Sequence, residues 1–153
     1  RIRDDLRLLL VWVHASADDL DDPEVEAFVE HVGTWFDGMG DRALVALLPG
    51  LLDLGDAGAR AYVQGLQGPR RRLYVEALLG RPGIVPVAVA KALFDGLDAS
   101  TAELERRQAL AAAYRNAPSE SASALAAARA RLDPTVRGET DDVLEVLRHR
   151  APR

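Results

Sequence analysis

An all-α fold is what this sequence predicts, and three observations carry that expectation. Apolar residues recur at helical spacing, as with Val25, Phe28, Val29, Val32 and Phe36 at i, i+3, i+4, i+7 and i+11. No stretch alternates apolar and polar residues like a half-buried strand. The most β-branched one, Ile84 to Val89, is broken by Pro86 and runs into an alanine-rich helical pattern. Every connection between periodic stretches is short, so consecutive helices are expected as antiparallel neighbours.

Taken in order, the periodic stretches give about nine helices, near 3–20, 23–37, 41–54, 56–67, 69–80, 85–97, 100–116, 119–132 and 139–150. The first has one apolar face of Leu6, Leu9, Leu10, Val13, Ala17 and Leu20. Leu8, Val11 and Trp12 carry apolarity around its middle, as in a helix buried on several sides. The second opens on Asp22, a suitable cap, and Pro23, which suits a first turn where a missing N–H costs nothing. Pro49 should kink or split the third. Ser100 and Glu103 have capping-box spacing at the start of the seventh.

Three segments align without gaps: 25–32, 59–66 and 90–97, starting 34 and 31 residues apart. Phe28, Tyr62 and Leu93 share one position, Val29, Val63 and Phe94 the next, and Val32, Leu66 and Leu97 close each segment. A fourth, 125–132, begins 35 residues later with Ala128 and Arg129 at the bulky positions. Pro49, Pro82, Pro118 and Pro152 recur at intervals of 33, 36 and 34. A helix pair every 30–36 residues or so is the spacing of stacked α-helical repeats. The organisation over 23–152 resembles HEAT-like or tetratricopeptide-like repeat proteins in period and pattern, although the Trp, Leu-Gly and Tyr signature of the tetratricopeptide family is missing. An irregular helical-repeat stack and a single helical bundle are both open at this level. The chain is expected to be one all-α domain over 1–153, with an N-terminal helix in 1–22 and candidate helix-pair repeats after it. Beginning at Arg1, it reads as a piece of a longer chain.

The composition narrows the function classes. With 48% hydrophobic and 28% charged residues among 153, the chain suits one folded domain. It has no cysteine, so disulfides, thiolate metal sites and cysteine nucleophiles are excluded. The longest strongly apolar run, Leu8 to Val13, is far short of a bilayer span, and nothing at the start reads as a secretory signal; the cytoplasm is the expected compartment. Arginine outnumbers lysine so heavily, Lys91 being the sole lysine, that the bias reads as ancestry in a GC-rich bacterial genome. The net charge of −5 argues against a nucleic-acid partner. It is unevenly spread: residues 1–68 carry 5 basic and 13 acidic side chains, and residues 69–153 carry 14 and 11.

Few residues point to chemistry. Asp18-Asp19-Leu20-Asp21-Asp22 resembles the aspartate-rich motif of isoprenoid synthases, which implies Mg²⁺ held for diphosphate chemistry. Pro23 puts this run at a helix junction, however, where capping and the helix dipole explain it more simply. Asp141, Asp142 and Glu145 form a looser copy. His14 has Asp18 at i+4, but the Glu-x-x-His unit fails at His14 and His31, where Val11 and Phe28 stand three residues before, and His149 lies in the basic tail, so no metal site, cofactor or catalytic residue is assigned. Gly38, Gly40 and Ala43 fit a dinucleotide-binding pattern only superficially, because a helix rather than a strand precedes them.

The expected role is therefore non-enzymatic: a protein-interaction, scaffold or regulatory helical module whose partner is another protein or a second copy. Arg70, Arg71 and Arg72, followed by Tyr74, are the densest basic spot and the candidate partner surface, together with Trp35; pairing with the acidic first half, for example the Asp53/Asp56 turn, is the bland alternative. A second expectation is a receptor for an apolar small molecule, with a pocket near Trp12, His14, His31 and Trp35. Magnesium-dependent chemistry at Asp18–Asp22 is the third and the least favoured.

Overall fold

The computed structural model describes residues 22–151. The elements in order are α1 (Asp22–Asp37), α2 (Asp41–Leu51), a 3₁₀ turn (Leu52–Leu54), α3 (Gly55–Leu66), α4 (Arg71–Gly80), α5 (Val87–Asp95), α6 (Glu103–Asn116), a 3₁₀ turn (Ser119–Ser121), α7 (Ala122–Arg131), a 3₁₀ turn (Pro134–Val136) and α8 (Arg137–His149). The class is all-α, with no strand among the described residues. In place of about nine helices there are eight α-helices and three 3₁₀ turns, and the first expected helix, 3–20, lies outside the described residues. No helix among the described residues is long and apolar enough to cross a membrane.

Local chemistry accounts for the differences. Pro49 sits inside α2 and has no N–H for the carbonyl one turn back; two residues later the chain tightens into the 3₁₀ turn Leu52–Leu54. Gly55 then takes φ +69°, open to glycine at no steric cost, and starts α3. The expected capping box at Ser100 does not form. Helix α6 begins at Glu103 behind Ala102, with no side-chain cap. Asp98 takes the serine instead: its Oδ1 accepts from the Ser100 N–H at 2.8 Å and the Ser100 hydroxyl at 2.5 Å. A carboxylate two residues upstream is the stronger acceptor, and these bonds hold the Asp98 carboxyl below its usual range.

The chain divides into two compact units, Arg1–Ala77 and Leu78–Arg153, the division falling within α4. In the first, α3 packs against α1 and α2. Its core includes Phe28, Val32 and Phe36 from α1, Leu44, Leu48 and Leu51 from α2, and Tyr62 and Leu66 from α3. All five residues of the apolar stripe read from the sequence lie on one helix, and four of them, Val25, Phe28, Val32 and Phe36, are buried. Helix α3 approaches α2 so closely that a Cβ on Gly58 would lie 1.8 Å from the Leu51 carbonyl oxygen. In the second unit α5 packs on α6 and α7, and α8 packs on the same two helices. Val89, Leu93, Phe94, Ala109, Ala113, Leu125, Leu144 and Leu147 fill its core. Buried polar groups there include Arg106, bonded to Glu139 at 3.1 Å, and the Thr140 hydroxyl and Asn116 Oδ1, which have no hydrogen-bond partner.

One contact recurs in both units. The last carbonyls of an α-helix have no partner within it and form the negative end of its dipole. In three helices they accept from a side chain at the end of the helix two further along, and in α1 from Arg70 in the turn between α3 and α4. Arg70 Nη1 donates to the Phe36 carbonyl of α1 at 2.9 Å. Arg115 and Asn116 donate to Leu79 and Leu78 at the end of α4, at 2.9 and 2.6 Å. Arg131 donates to Leu97 and Phe94 beside the end of α5, at 3.1 and 3.0 Å. Arg150 donates to Tyr114 at the end of α6 at 2.5 Å, and also to the Ala117 carbonyl. Donor and acceptor are 33 to 38 residues apart in every case. Two carbonyls taken by one guanidinium suit its planar fork, which lysine lacks. Part of the arginine excess is thus structural, which composition alone did not reveal.

Candidate functional site

In the first unit a groove of about 660 Å³ runs between α1 and α3 and ends at the Gly68–Arg70 turn and Tyr74. The spacing of α1 builds one wall. Glu26, Glu30, Gly33 and Asp37 stand at i, i+4, i+7 and i+11, beside the buried stripe. The three carboxylates are exposed, and none forms an ion pair with another described residue. Gly33, in their midst, has no atom within 4 Å of where its Cβ would stand, so the wall is indented there. Val32, Phe36 and Leu44, all but wholly buried, form its floor, Val29 and Pro69 carry accessible apolar surface, and Ala61, Gln64 and Gly65 of α3 face the acidic wall.

Tyr74 closes one end. Its ring lies against the α3 backbone at Gly65, where a Cβ would stand 2.0 Å from ring atoms Cε2 and Cζ, so only glycine fits. The ring meets Tyr62 edge-on at 5.1 Å and 81°, and the Tyr62 hydroxyl donates to the Tyr74 carbonyl at 2.5 Å. Tyr74 is 6% exposed, yet its own hydroxyl has no hydrogen-bond partner among the described residues. Burial pushes its pKa up to about 12; the Arg70 charge opposes the rise and Asp37 adds to it. At any ordinary pH the groove therefore contains a neutral phenol O–H.

The expected partner surface is only partly brought to this groove. Arg70 lines it but is tied inward, to Asp41 of the acidic first half at 2.7 Å and to the Phe36 carbonyl. Arg71 donates to the Leu66 carbonyl at 3.1 Å, and Arg72 is exposed. Trp35 is half-buried, its ring 4.9 Å from that of exposed His31; neither lines the groove. Trp12 and His14 lie outside the described residues, as do Asp18, Asp19 and Asp21. In the looser acidic copy, Asp141 is engaged by Arg129 at 2.6 and 3.3 Å. Among the described residues no three His, Asp or Glu side chains are placed to hold a metal ion.

Sequence reasoning passed over Glu26, Glu30 and Asp37. The signal was there, an acidic stripe at helical spacing, but it is the pattern of any solvated helix face until a facing wall turns it into a groove. A second depression, of about 240 Å³, lies between α6 and α8, lined by Arg107, Leu110, Ala111, Tyr114, Glu139 and Val143. The chain matches no protein family, no curated protein and no solved structure.

Proposed function

We propose that this chain is a protein-interaction module built as an irregular stack of helical hairpins, with the α1–α3 groove as its binding surface. The observation that carries the reading is the groove itself: apolar surface flanked by exposed carboxylates that no described residue neutralises. Such a surface suits a polypeptide, which brings apolar side chains and charges together. The stacked architecture is supported by the end-to-end arginine bonds at separations of 33 to 38 residues, close to the 31–35 residue offsets of the aligned segments. Packing of α5 on α7 and of α6 on α8 is the order expected when one hairpin lies on the next. A small apolar ligand is the poorer fit, since three exposed carboxylates stand along the α1 wall of the groove and His31 and Trp35 lie outside it.

Native mass spectrometry of the protein isolated gently from its source tests this reading. A bound polypeptide, including a second copy, is the expected result. A monomer carrying an adduct of a few hundred daltons would overturn it.

A further inference from the structure

Resting on that reading, we infer that the groove takes a basic polypeptide segment, seating its apolar side chains on Val29 and Pro69 while its lysines or arginines meet Glu26, Glu30 and Asp37. Two independent features point there. The first is charge: three carboxylates follow one another along one wall of α1 over eleven residues, all exposed and none in an ion pair with a described residue. Like charges on one helix face repel weakly, and the natural remedy is a cationic neighbour. The basic side chains on the facing wall do not supply it: Arg70 is held by Asp41, and Arg60 has interactions of its own.

The second feature is Tyr74, a residue 6% exposed whose hydroxyl has no partner among the described residues. A phenol in such a place is normally satisfied. Its ring lines the groove. As a neutral donor the hydroxyl asks for an acceptor, and the carbonyls of a polypeptide backbone supply one wherever the segment lies. A free polyamine would satisfy the carboxylates but offers neither that carbonyl nor side chains for the apolar surface.

The test uses the full chain and a fluorescent ten-residue peptide alternating lysine and leucine, followed by anisotropy. Saturable binding that weakens with salt is expected. Glu26→Gln with Glu30→Gln should weaken it about fivefold, two rim charges each contributing as exposed ion pairs do. Gly33→Leu, which keeps all three carboxylates and extends into the open indentation, should abolish binding while leaving the helix intact. Glu145→Gln, which removes one exposed carboxylate from α8, should change nothing. Binding that survives Gly33→Leu, falls equally with Glu145→Gln, or is matched by an alternating glutamate–leucine peptide would overturn the proposal, as would no binding at all. If native mass spectrometry finds a polypeptide that Gly33→Leu and the double glutamine variant both retain, the groove is wrong while the interaction reading stands.

Discussion

Gly58 and Gly33 make one substitution into two opposite experiments. Alanine in place of a helical glycine ordinarily stabilises by about 0.5–1 kcal/mol, because the unfolded chain loses freedom and the helix gains a better former. Gly33→Ala on α1 should show that gain, since its Cβ would meet nothing within 4 Å. Gly58→Ala should reverse the sign. Its Cβ would stand 1.8 Å from the Leu51 carbonyl oxygen, 2.9 Å from Leu54 Cβ and 3.0 Å from the Leu51 carbonyl carbon, where ordinary contact begins at 3.4 Å. The obstacle is mostly backbone, and Leu51 is fully buried, so neither can swing aside as a flexible side chain would. Helix α3 must move off the end of α2 by well over an ångström, and overpacking of that kind costs about 3 kcal/mol, with a net loss of about 2 after the alanine gain. The two variants should differ by about 3 kcal/mol. Urea unfolding followed by tryptophan fluorescence reads this, because Trp35 stands on α1 in the first unit. A Gly58→Ala protein at least as stable as the parent would refute the close approach of α3 and α2.

The remaining expectations concern side chains. Tyr74 in the unfolded chain loses its proton near pH 10, whereas in the fold it keeps it to about pH 12; between those values the native state binds the extra proton, so stability is whole below pH 10 and falls as pH rises. The loss approaches roughly 2.7 kcal/mol by pH 12, and a Tyr74→Phe variant should lack it in urea melts run from pH 9 to 12. Arg131→Ala leaves the Phe94 and Leu97 carbonyls without their shared donor and should lower the stability of the second unit by about 1–2 kcal/mol; Arg131→Lys should recover less than half, and full recovery would deny the fork its role. Thr140→Val removes a buried hydroxyl that bonds nothing and should raise the second unit's stability by about 1 kcal/mol in circular-dichroism melts. A loss there would mean that the hydroxyl has a partner after all.

What the sequence determined by itself was everything governed by local periodicity. The stripe Val25–Phe36 places α1 and its buried face, and Pro86 rules out the one strand that β-branched residues suggested. Helical hydrogen bonds close within four residues and burial follows the turn of the helix, so residue spacing is enough to read them. Whether Ser100 caps a helix was already beyond reach, because Asp98 and Glu103 both offer a carboxylate to its N–H, and the turn at 98–101 gives that N–H to Asp98.

The tertiary structure decided the rest. Arg70 was legible as a basic residue in a basic run, but its choice of Asp41 and the Phe36 carbonyl depends on how the Gly68–Arg70 turn meets α1. The arginine bonds at 33 to 38 residues were invisible for a further reason: their acceptors are backbone carbonyls, which every residue has, so no side chain announces them. Glu26, Glu30 and Asp37 look like solvated surface on an isolated helix and become one wall of a groove only when Gly65 lets the Tyr74 ring lie flat on α3 across from them. Spacing along one helix fixes which residues share a face; what that face meets is set by the packing of several helices, and no local pattern encodes it.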